Sequence, residues 1–286
     1  MRRFSRDRFV SEMSAANPPV YFAEDGETFL VETLDCDGGL RGRDGAVRSW
    51  PTPPNPATGP IEVKGCRPGE ALEVTIHEIR PADWGFISGA GDWTQATVVE
   101  IEDGLAIYPW GLHLPVKPII GVIGVAPAGE PVPTNVPGDH GGNLDTVDVC
   151  PGATIYLPVA VPGAMLALGD VHALQGDSEC CGTGLECEAE VALTVRRISD
   201  PLWDSVYLVR NDTLMIFAHG DTVDEAAWGV VEAMSKLLSK LTGLSEKQAC
   251  RLLSTAGDVR ISQIVNPKKT CRAIIPRAVI PEHWPF

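Results

Sequence analysis

Short apolar runs rich in Val, Ile, Leu and Thr recur through residues 1–200, and glycine or proline separates most of them. Within residues 71–79, Leu72, Val74 and Ile76 alternate with other positions, which is the pattern of a strand with one buried face. Similar runs occupy residues 28–32, 96–101, 154–159 and 189–196. The pattern therefore predicts a mainly β body, shaped as a sandwich or a barrel.

The hydrophobic period changes near residue 200. Apolar residues then recur at helical spacing and would form one stripe on a helix: Ala227, Val230, Val231, Met234, Leu237, Leu238 and Leu241. Thr222 and Glu225 form a capping-box pattern at the start of this helix, and Gly243 suits a left-handed stop after its end. Ser245 and Gln248 repeat the capping pattern, so a second helix is expected to follow.

Strand-like runs at residues 205–217 and 271–280 flank the two predicted helices. We therefore expect two portions: a β-rich body over residues 1–200 and an α+β portion over residues 201–286 that packs on it. The body would carry the functional site.

Charge and composition narrow the choice of partners. The formal net charge is -15, which repels phosphate backbones and anionic membranes. The sequence contains no run of eighteen apolar residues, which a membrane helix would need. The basic start of the chain lacks the apolar stretch of a signal peptide. Eight scattered cysteines without zinc-ribbon spacing suit reduced thiols. We expect a cytoplasmic protein whose partners are small molecules and copies of itself, as a dimer or larger, because assembly would cover apolar strand faces.

Side chains able to bind a metal cluster in two glycine-rich segments. In residues 138–145, His140 offers an imidazole and Asp145 a carboxylate. In residues 169–179, Asp170 and His172 would point to the same side of a strand. Glu186 follows as a further ligand or general base. An isolated Asp-x-His triplet is weak evidence, but the glycine-bracketed combination predicts a metal site.

Two other interpretations remain open at this stage. Cys181, in the Cys180–Cys181 pair beside Glu179, is a possible nucleophile, although the acidic surroundings and the lack of a nearby Lys or Arg disfavour a thiolate. Alternatively, a non-catalytic β-rich assembly protein would use the acids to bind calcium, against which the two imidazoles argue. The His-Gly-Gly sequence could also form the oxyanion loop of an α/β-hydrolase, but this interpretation fails because no Gly-x-Ser-x-Gly elbow accompanies it.

Seven ordered motifs are similar to those of the acetamidase/formamidase family. They are TLDCDGG at 33–39, NPATGP at 55–60, HGGNLD at 140–145, YLPV at 156–159, GDVHALQGD at 169–177, GTGLE at 182–186 and LSTAGDVRISQ at 253–263. The resemblance implies an oligomeric, β-rich amidohydrolase that uses a divalent metal on formamide, acetamide or similar amides. It also implies a site lined by six residues: Asp35, His140, Asp145, Asp170, His172 and Glu186.

These residues support a working hypothesis for the chemistry. Asp35, His140, Asp145, Asp170 and His172 are the predicted metal ligands, with zinc as the first choice for one or two ions and calcium as the alternative. Glu186 and His140 are the predicted catalytic residues, with Glu186 as the preferred proton carrier. Around the paired glycines, Gly141, Gly142 and Asn143 are predicted to bind the amide substrate.

Overall fold

Most of the apolar runs form strands in a computed structural model that describes residues 1–49 and 55–286. The strands are β1 (Arg2–Phe4), β2 (Phe9–Val10), β3 (Glu12–Met13), β4 (Tyr21–Ala23), β5 (Thr28–Thr33), β6 (Ala57–Val63), β7 (Ala71–Pro81), β8 (Trp84–Gly89), β9 (Asp92–Glu102), β10 (Leu105–Ile107), β11 (His113–Pro115), β12 (Ile119–Gly124), β13 (Val132–Pro133), β14 (Gly141–Asn143), β15 (Thr154–Pro158), β16 (Leu166–Leu174), β17 (Leu185–Cys187), β18 (Ala189–Ile198), β19 (Tyr207–Arg210), β20 (Thr213–Gly220), β21 (Asp258–Gln263) and β22 (Lys269–Pro276). The helices are α1 (Val223–Thr242) and α2 (Glu246–Ala256), and 3₁₀ turns occupy Arg277–Val279 and Pro281–His283.

Two large sheets organise these strands. The first has nine strands in the order β1-β5-β18-β7-β15-β19-β20-β22-β21. The second follows the order β11-β10-β9-β8-β17-β16-β12-β14, and β6 joins it at β16 together with β2 and β4. A separate small sheet pairs β3 with β13. The predicted mainly β fold is confirmed, but the barrel form of it is not, because the sheets stay open.

The main core lies between the two large sheets. Val31, Leu72 and Val74 from the nine-stranded sheet share one apolar cluster with Ile120 and Val171 from the other sheet, and all five are fully buried. The predicted buried face of residues 71–79 is therefore correct. Burial at about 25 cal/mol per Å² of apolar surface makes this cluster the main source of stability.

The two predicted helices are confirmed, together with their caps. The Glu225 N–H donates to Thr222 Oγ1 and the Thr222 N–H donates to Glu225 Oε2, both at 3.2 Å. Gly243 adopts a left-handed φ of 73°, as a helix stop requires. Of the predicted stripe, Val230 and Met234 are fully buried against β20 and β22. Within the described residues, neither helix combines the length and apolar character that a membrane span needs.

The nine-stranded sheet continues across residue 200, because β15 pairs with β19. The division at residue 200 remains a prediction. Residues from both portions therefore belong to one hydrogen-bonded sheet.

Arg272 on β22 is a buried cation that links distant parts of the chain. Its side chain is completely buried and donates from Nε to Asp148 Oδ2 at 2.9 Å. Its Nη2 lies 2.9 Å from Asp177 Oδ1, in the loop that follows β16. A buried charge is tolerated only when it is paired in this way. Arg272 therefore fixes the loop after β16 to the C-terminal hairpin of β21 and β22.

We expect Arg272→Met to lower the free energy of unfolding by about 3 kcal/mol or more, because it leaves the buried Asp148 with one fewer cation. Arg260→Met is the matched control. Arg260 lies opposite Arg272 on β21, but it is exposed and, among the described residues, pairs with Asp258 alone, so its loss should cost less than about 1 kcal/mol. Urea unfolding measures both values, and equal losses would contradict the role assigned to Arg272.

Candidate functional site

Asp170 and His172 on β16 form the centre of a buried polar cluster. The His172 Nε2 atom lies 3.6 Å from Asp170 Oδ1, so the two side chains converge as the strand spacing predicted. Asp170 has a positive φ of 55°, an unusual backbone conformation for a residue within a strand. β17 pairs with β16 so that Glu186 lies opposite His172. The distance from His172 Nε2 to Glu186 Oε1 is 3.1 Å.

Asp145 reaches the same cluster from the loop after β14. Its Oδ1 atom lies 4.0 Å from His172 Nε2. Gly121 on β12 makes this approach possible, because a Cβ atom there would lie 2.6 Å from Asp145 Oδ1 and 2.9 Å from Asp170 Oδ2. Only a glycine leaves room for both carboxylates.

Two further residues extend the cluster. Glu179 has a ligand atom within 4.8 Å of those of His172 and Glu186, and Cys36 stands in the same relation to Asp170 and Glu186. The cluster lies beside a cavity of about 580 Å³ whose wall includes Cys36, Asp170, Glu179 and Glu186. Four predicted residues, Asp145, Asp170, His172 and Glu186, are thus brought together.

The hydrogen bonds of Gln175 determine which nitrogen of His172 carries hydrogen. Gln175 Nε2 donates to the carbonyl oxygen of Asp145 at 2.7 Å, which orients the side-chain amide. Gln175 Oε1 must then accept from His172 Nδ1, also at 2.7 Å. In its neutral form, the imidazole would therefore present the lone pair of Nε2 to the carboxylates. Because Nε2 and the carboxylate oxygens would then all be hydrogen-bond acceptors, a proton or a cation has to lie between them.

Within residues 1–49 and 55–286, several buried atoms of the cluster have no hydrogen-bond partner. They are His172 Nε2, Asp145 Oδ1, Asp170 Oδ1, Glu179 Oε2 and Glu186 Oε2. Buried polar atoms are normally paired, so several unpaired atoms within one cluster require an explanation. One imidazole nitrogen with several carboxylate oxygens is a donor set that fits a divalent cation, zinc in particular. The residues present therefore fit the predicted metal.

The electrostatics of the cluster agree with this interpretation. Burial, followed by repulsion from neighbouring acids, raises the pKa of Asp145 to about 6 and that of Glu179 to about 10. Burial likewise raises the pKa of Glu186 to about 8. Burial opposes protonation of His172, but Glu186 and Asp170 outweigh it and raise the imidazole pKa. The metal-free cluster thus retains protons that a cation would displace.

His140 and Asp35 lie outside the groups of converging ligand atoms found in the described residues. The His140 ring sits between Gly138 and Gly142, since Cβ atoms there would lie 3.0 Å from Nδ1 and 3.2 Å from Nε2. Burial lowers the His140 pKa to about 4. Asp35 is buried and accepts the Gly39 N–H at 2.9 Å, and burial raises its pKa to about 7. The metal-binding and catalytic roles of these two residues remain predictions.

The predicted substrate-binding residues form β14. Asn143 lines the cavity. The Gly141 N–H already donates to the Gly138 carbonyl at 3.0 Å. The substrate roles of Gly141, Gly142 and Asn143 remain predictions. Cys181 also lines the cavity, and its thiol donates to the Thr183 carbonyl at 3.4 Å.

Sequence reasoning did not select Glu179, Gln175 or Cys36 for the site. Glu179 and Gln175 lie in the same segment as Asp170 and His172, so their position along the chain was an available signal. Cys36 is brought in from a distant loop. It belongs to the TLDCDGG motif, but nothing in its residue type set it apart from seven other cysteines.

Comparisons with known proteins agree with the motifs. The sequence profile of the Acetamidase/Formamidase family matches residues 122–281. A formamidase of Methylophilus methylotrophus is 25% identical over 90% of this chain and 85% of that protein. A relative from Schizosaccharomyces pombe is 26% identical, and the match covers 66% of this chain and 64% of the relative. The crystal structure of an acetamidase from Bacillus halodurans superposes with a TM-score of 0.94 at 37% identity, covering 98% of this chain and 99% of that one.

The raised pKa values generate a prediction about stability without metal. Asp145, Glu179, Glu186 and His172 all bind protons more tightly in the folded than in the unfolded protein. For Glu186, the stabilisation is complete below the ordinary glutamate pKa of 4.5 and is lost as pH rises through about 8. Chelator-treated protein should therefore become easier to unfold with urea between about pH 5 and pH 8.

Glu186→Gln should flatten this pH dependence, because it removes one of the groups that cause it. Glu188→Gln is the control, since Glu188 is partly exposed and pairs with Arg6. A divalent cation should also reduce the pH dependence by replacing the bound protons. An unchanged slope in Glu186→Gln would show that the carboxyl group does not hold a proton in the folded protein.

Proposed function

Because this chain belongs to the acetamidase/formamidase family, we propose that it hydrolyses a short aliphatic amide to a carboxylate and ammonia with the help of a divalent cation. The observation that carries the metal-assisted part is the convergence of His172 Nε2 with carboxylate oxygens of Glu186 and Asp170 in a buried cluster. The motifs and the names of the similar proteins support the amide substrate.

Asp145, Asp170 and His172 would hold the cation. Zinc is the first choice because the set mixes one imidazole with carboxylates, while calcium prefers oxygen ligands alone. Bound there, the cation would supply Lewis acidity, which polarises an amide carbonyl and makes water more acidic.

A side chain of the protein would carry the proton during hydrolysis. Glu186 Oε2 has no hydrogen-bond partner, while the other carboxylate oxygen accepts the Gly184 N–H at 3.0 Å. Glu186 would take a proton from the attacking water and return it. The receiving atom is the amide nitrogen, which leaves only once it is protonated. In the metal-free protein, Glu179 has a pKa raised to about 10 and keeps a proton at the same cavity wall.

The cavity wall also carries groups that suit a small polar substrate. Carboxamides of Asn55, Asn135 and Asn143 line it. A carboxamide both donates and accepts hydrogen bonds, so these side chains complement the two ends of a substrate amide. Trp93 lines the same cavity and adds an apolar surface for a short acyl chain.

Cytoplasmic location and homo-oligomeric assembly are part of the same proposal. All eight cysteines are free, which suits a reducing compartment. Trp110, Leu112 and Leu114 are exposed beside and on the edge strand β11. Such an apolar edge is usually covered by another chain, and a second copy would cover it.

Substrate size and metal dependence can be tested together. Ammonia should be released faster from formamide, acetamide or propionamide than from a bulky aromatic amide such as benzamide. Prior removal of metal with a chelator should abolish release, and added zinc should restore it. Equal turnover of benzamide would contradict the preference for short amides. Failure to cleave any amide, in protein that still binds calcium, would favour a non-catalytic assembly protein.

A pair of variants separates metal from thiol chemistry. His172→Ala should lower activity by at least about 100-fold and reduce bound metal in parallel, because it removes the imidazole ligand. Cys181→Ala should retain substantial activity. If Cys181 is the nucleophile instead, its alanine variant will be inactive with an unchanged metal content. Both variants should be measured for metal and ammonia release on the same folded samples.

A further inference from the structure

Two asparagines from distant loops contact the acid cluster in the same way. Asn55 Nδ2 donates to Asp170 Oδ2 at 2.6 Å. Asn266 Nδ2 donates to Asp145 Oδ2, also at 2.6 Å. In both carboxylates the remaining oxygen, Oδ1, has no hydrogen-bond partner in the part of the chain that the structure describes, and it lies within 4.0 Å of His172 Nε2. Each asparagine thus occupies one oxygen and leaves the other free.

We propose that Asn55 and Asn266 are positioning residues that make Asp170 and Asp145 bind the divalent cation through one oxygen each. The inference rests on the proposed metal-assisted function. A carboxylate that uses both oxygens takes two coordination positions. Zinc in catalytic sites keeps a position open for substrate, usually with three protein ligands. Occupying the second oxygen with an N–H donor therefore preserves room at the cation.

Hydrogen bonds of the Gln263 side chain hold the loop that carries Asn266 in place. Gln263 is fully buried, and its Oε1 accepts the Asn266 N–H at 2.9 Å. Its Nε2 donates to the Lys268 carbonyl at 2.7 Å and to Thr270 Oγ1 at 3.0 Å. The Gln263 side chain thereby spans the turn between β21 and β22. Asn266 also donates to the Asn143 carbonyl at 3.1 Å, which fixes its amide further.

Asn55 is held by its backbone. Its N–H donates to the Cys36 carbonyl at 3.0 Å, and its φ of 57° lies in the left-handed region that asparagine tolerates better than most residues. Cys36 itself belongs to the cluster. Both donors are therefore fixed before a metal binds, as supporting groups around a metal ligand need to be.

The test uses Asn55→Ala and Asn266→Ala in the full chain, with Asn135→Ala as the matched control. Asn135 is a carboxamide on the same cavity wall, and no hydrogen bond to the acid cluster is found for it within the described residues. Zinc affinity is measured by competition with a chromophoric chelator. Each of the first two variants should bind zinc about 10- to 100-fold more weakly than the wild type, and the control should be unchanged.

Cobalt(II) provides a second readout that a purely structural role would not change. When Asp145 or Asp170 is released to bind through both oxygens, the coordination number rises and the visible absorption of bound cobalt weakens. The Asn55 and Asn266 variants should show this loss, and Asn135→Ala should not. The two asparagines lie in separate loops, so either variant tests the inference if the other fails to fold.

The outcomes separate this inference from the proposed function. If the wild type binds no divalent cation, the metal-assisted function fails and the inference fails with it. If the wild type binds zinc while both variants bind it equally well with unchanged cobalt spectra, only the inference is overturned. If the metal-free variants are less stable but bind zinc as tightly as the wild type, the asparagines have a structural role only and the inference is likewise overturned.

Discussion

Repulsion among buried carboxylates around one imidazole is the constraint on which the rest of this structure depends. Asp145, Asp170 and Glu186 approach His172 Nε2 within 4.0 Å, where water cannot screen them. No fold brings such groups together without compensation. Protons compensate in the metal-free protein, and a divalent cation does so in the proposed enzyme. The missing side chain at Gly121 is a local consequence of the same requirement.

The β-rich body and the C-terminal portion contribute different groups to this cluster. Sandwiched apolar strands fix β16 and β17, so that Asp170, His172 and Glu186 stand on neighbouring strands. Among the described residues, the C-terminal portion supplies no ligand to the cluster. Its hairpin instead carries Asn266, which contacts Asp145, and Arg272, which anchors the loop after β16. The β-rich body therefore supplies the side chains of the cluster, and the C-terminal portion supplies groups that hold them in place.

Local patterns in the sequence were sufficient to predict the secondary-structure elements and part of the site. Alternation predicted β7, the capping box predicted α1, and the two-residue spacing of Asp170 and His172 predicted their convergence. His140 was expected beside Asp145 because the two are close in sequence, yet the turn before β14 places its ring between Gly138 and Gly142. Asn266 had no local signal, because it meets Asp145 across 121 positions of the chain. Contacts of that range depend on the register of whole sheets.

The position of Asn266 between β21 and β22 has a consequence for how the enzyme is made. A growing polypeptide emerges with Asp145, Asp170, His172 and Glu186 long before the last hairpin is synthesised. Until that hairpin docks, both oxygens of Asp145 are unrestrained, and Arg272 does not yet hold the neighbouring loop. The nascent chain therefore carries its ligands without their final geometry. Loading of the proposed cation, and with it the onset of activity, would then be a late event in biogenesis, coupled to completion of the nine-stranded sheet.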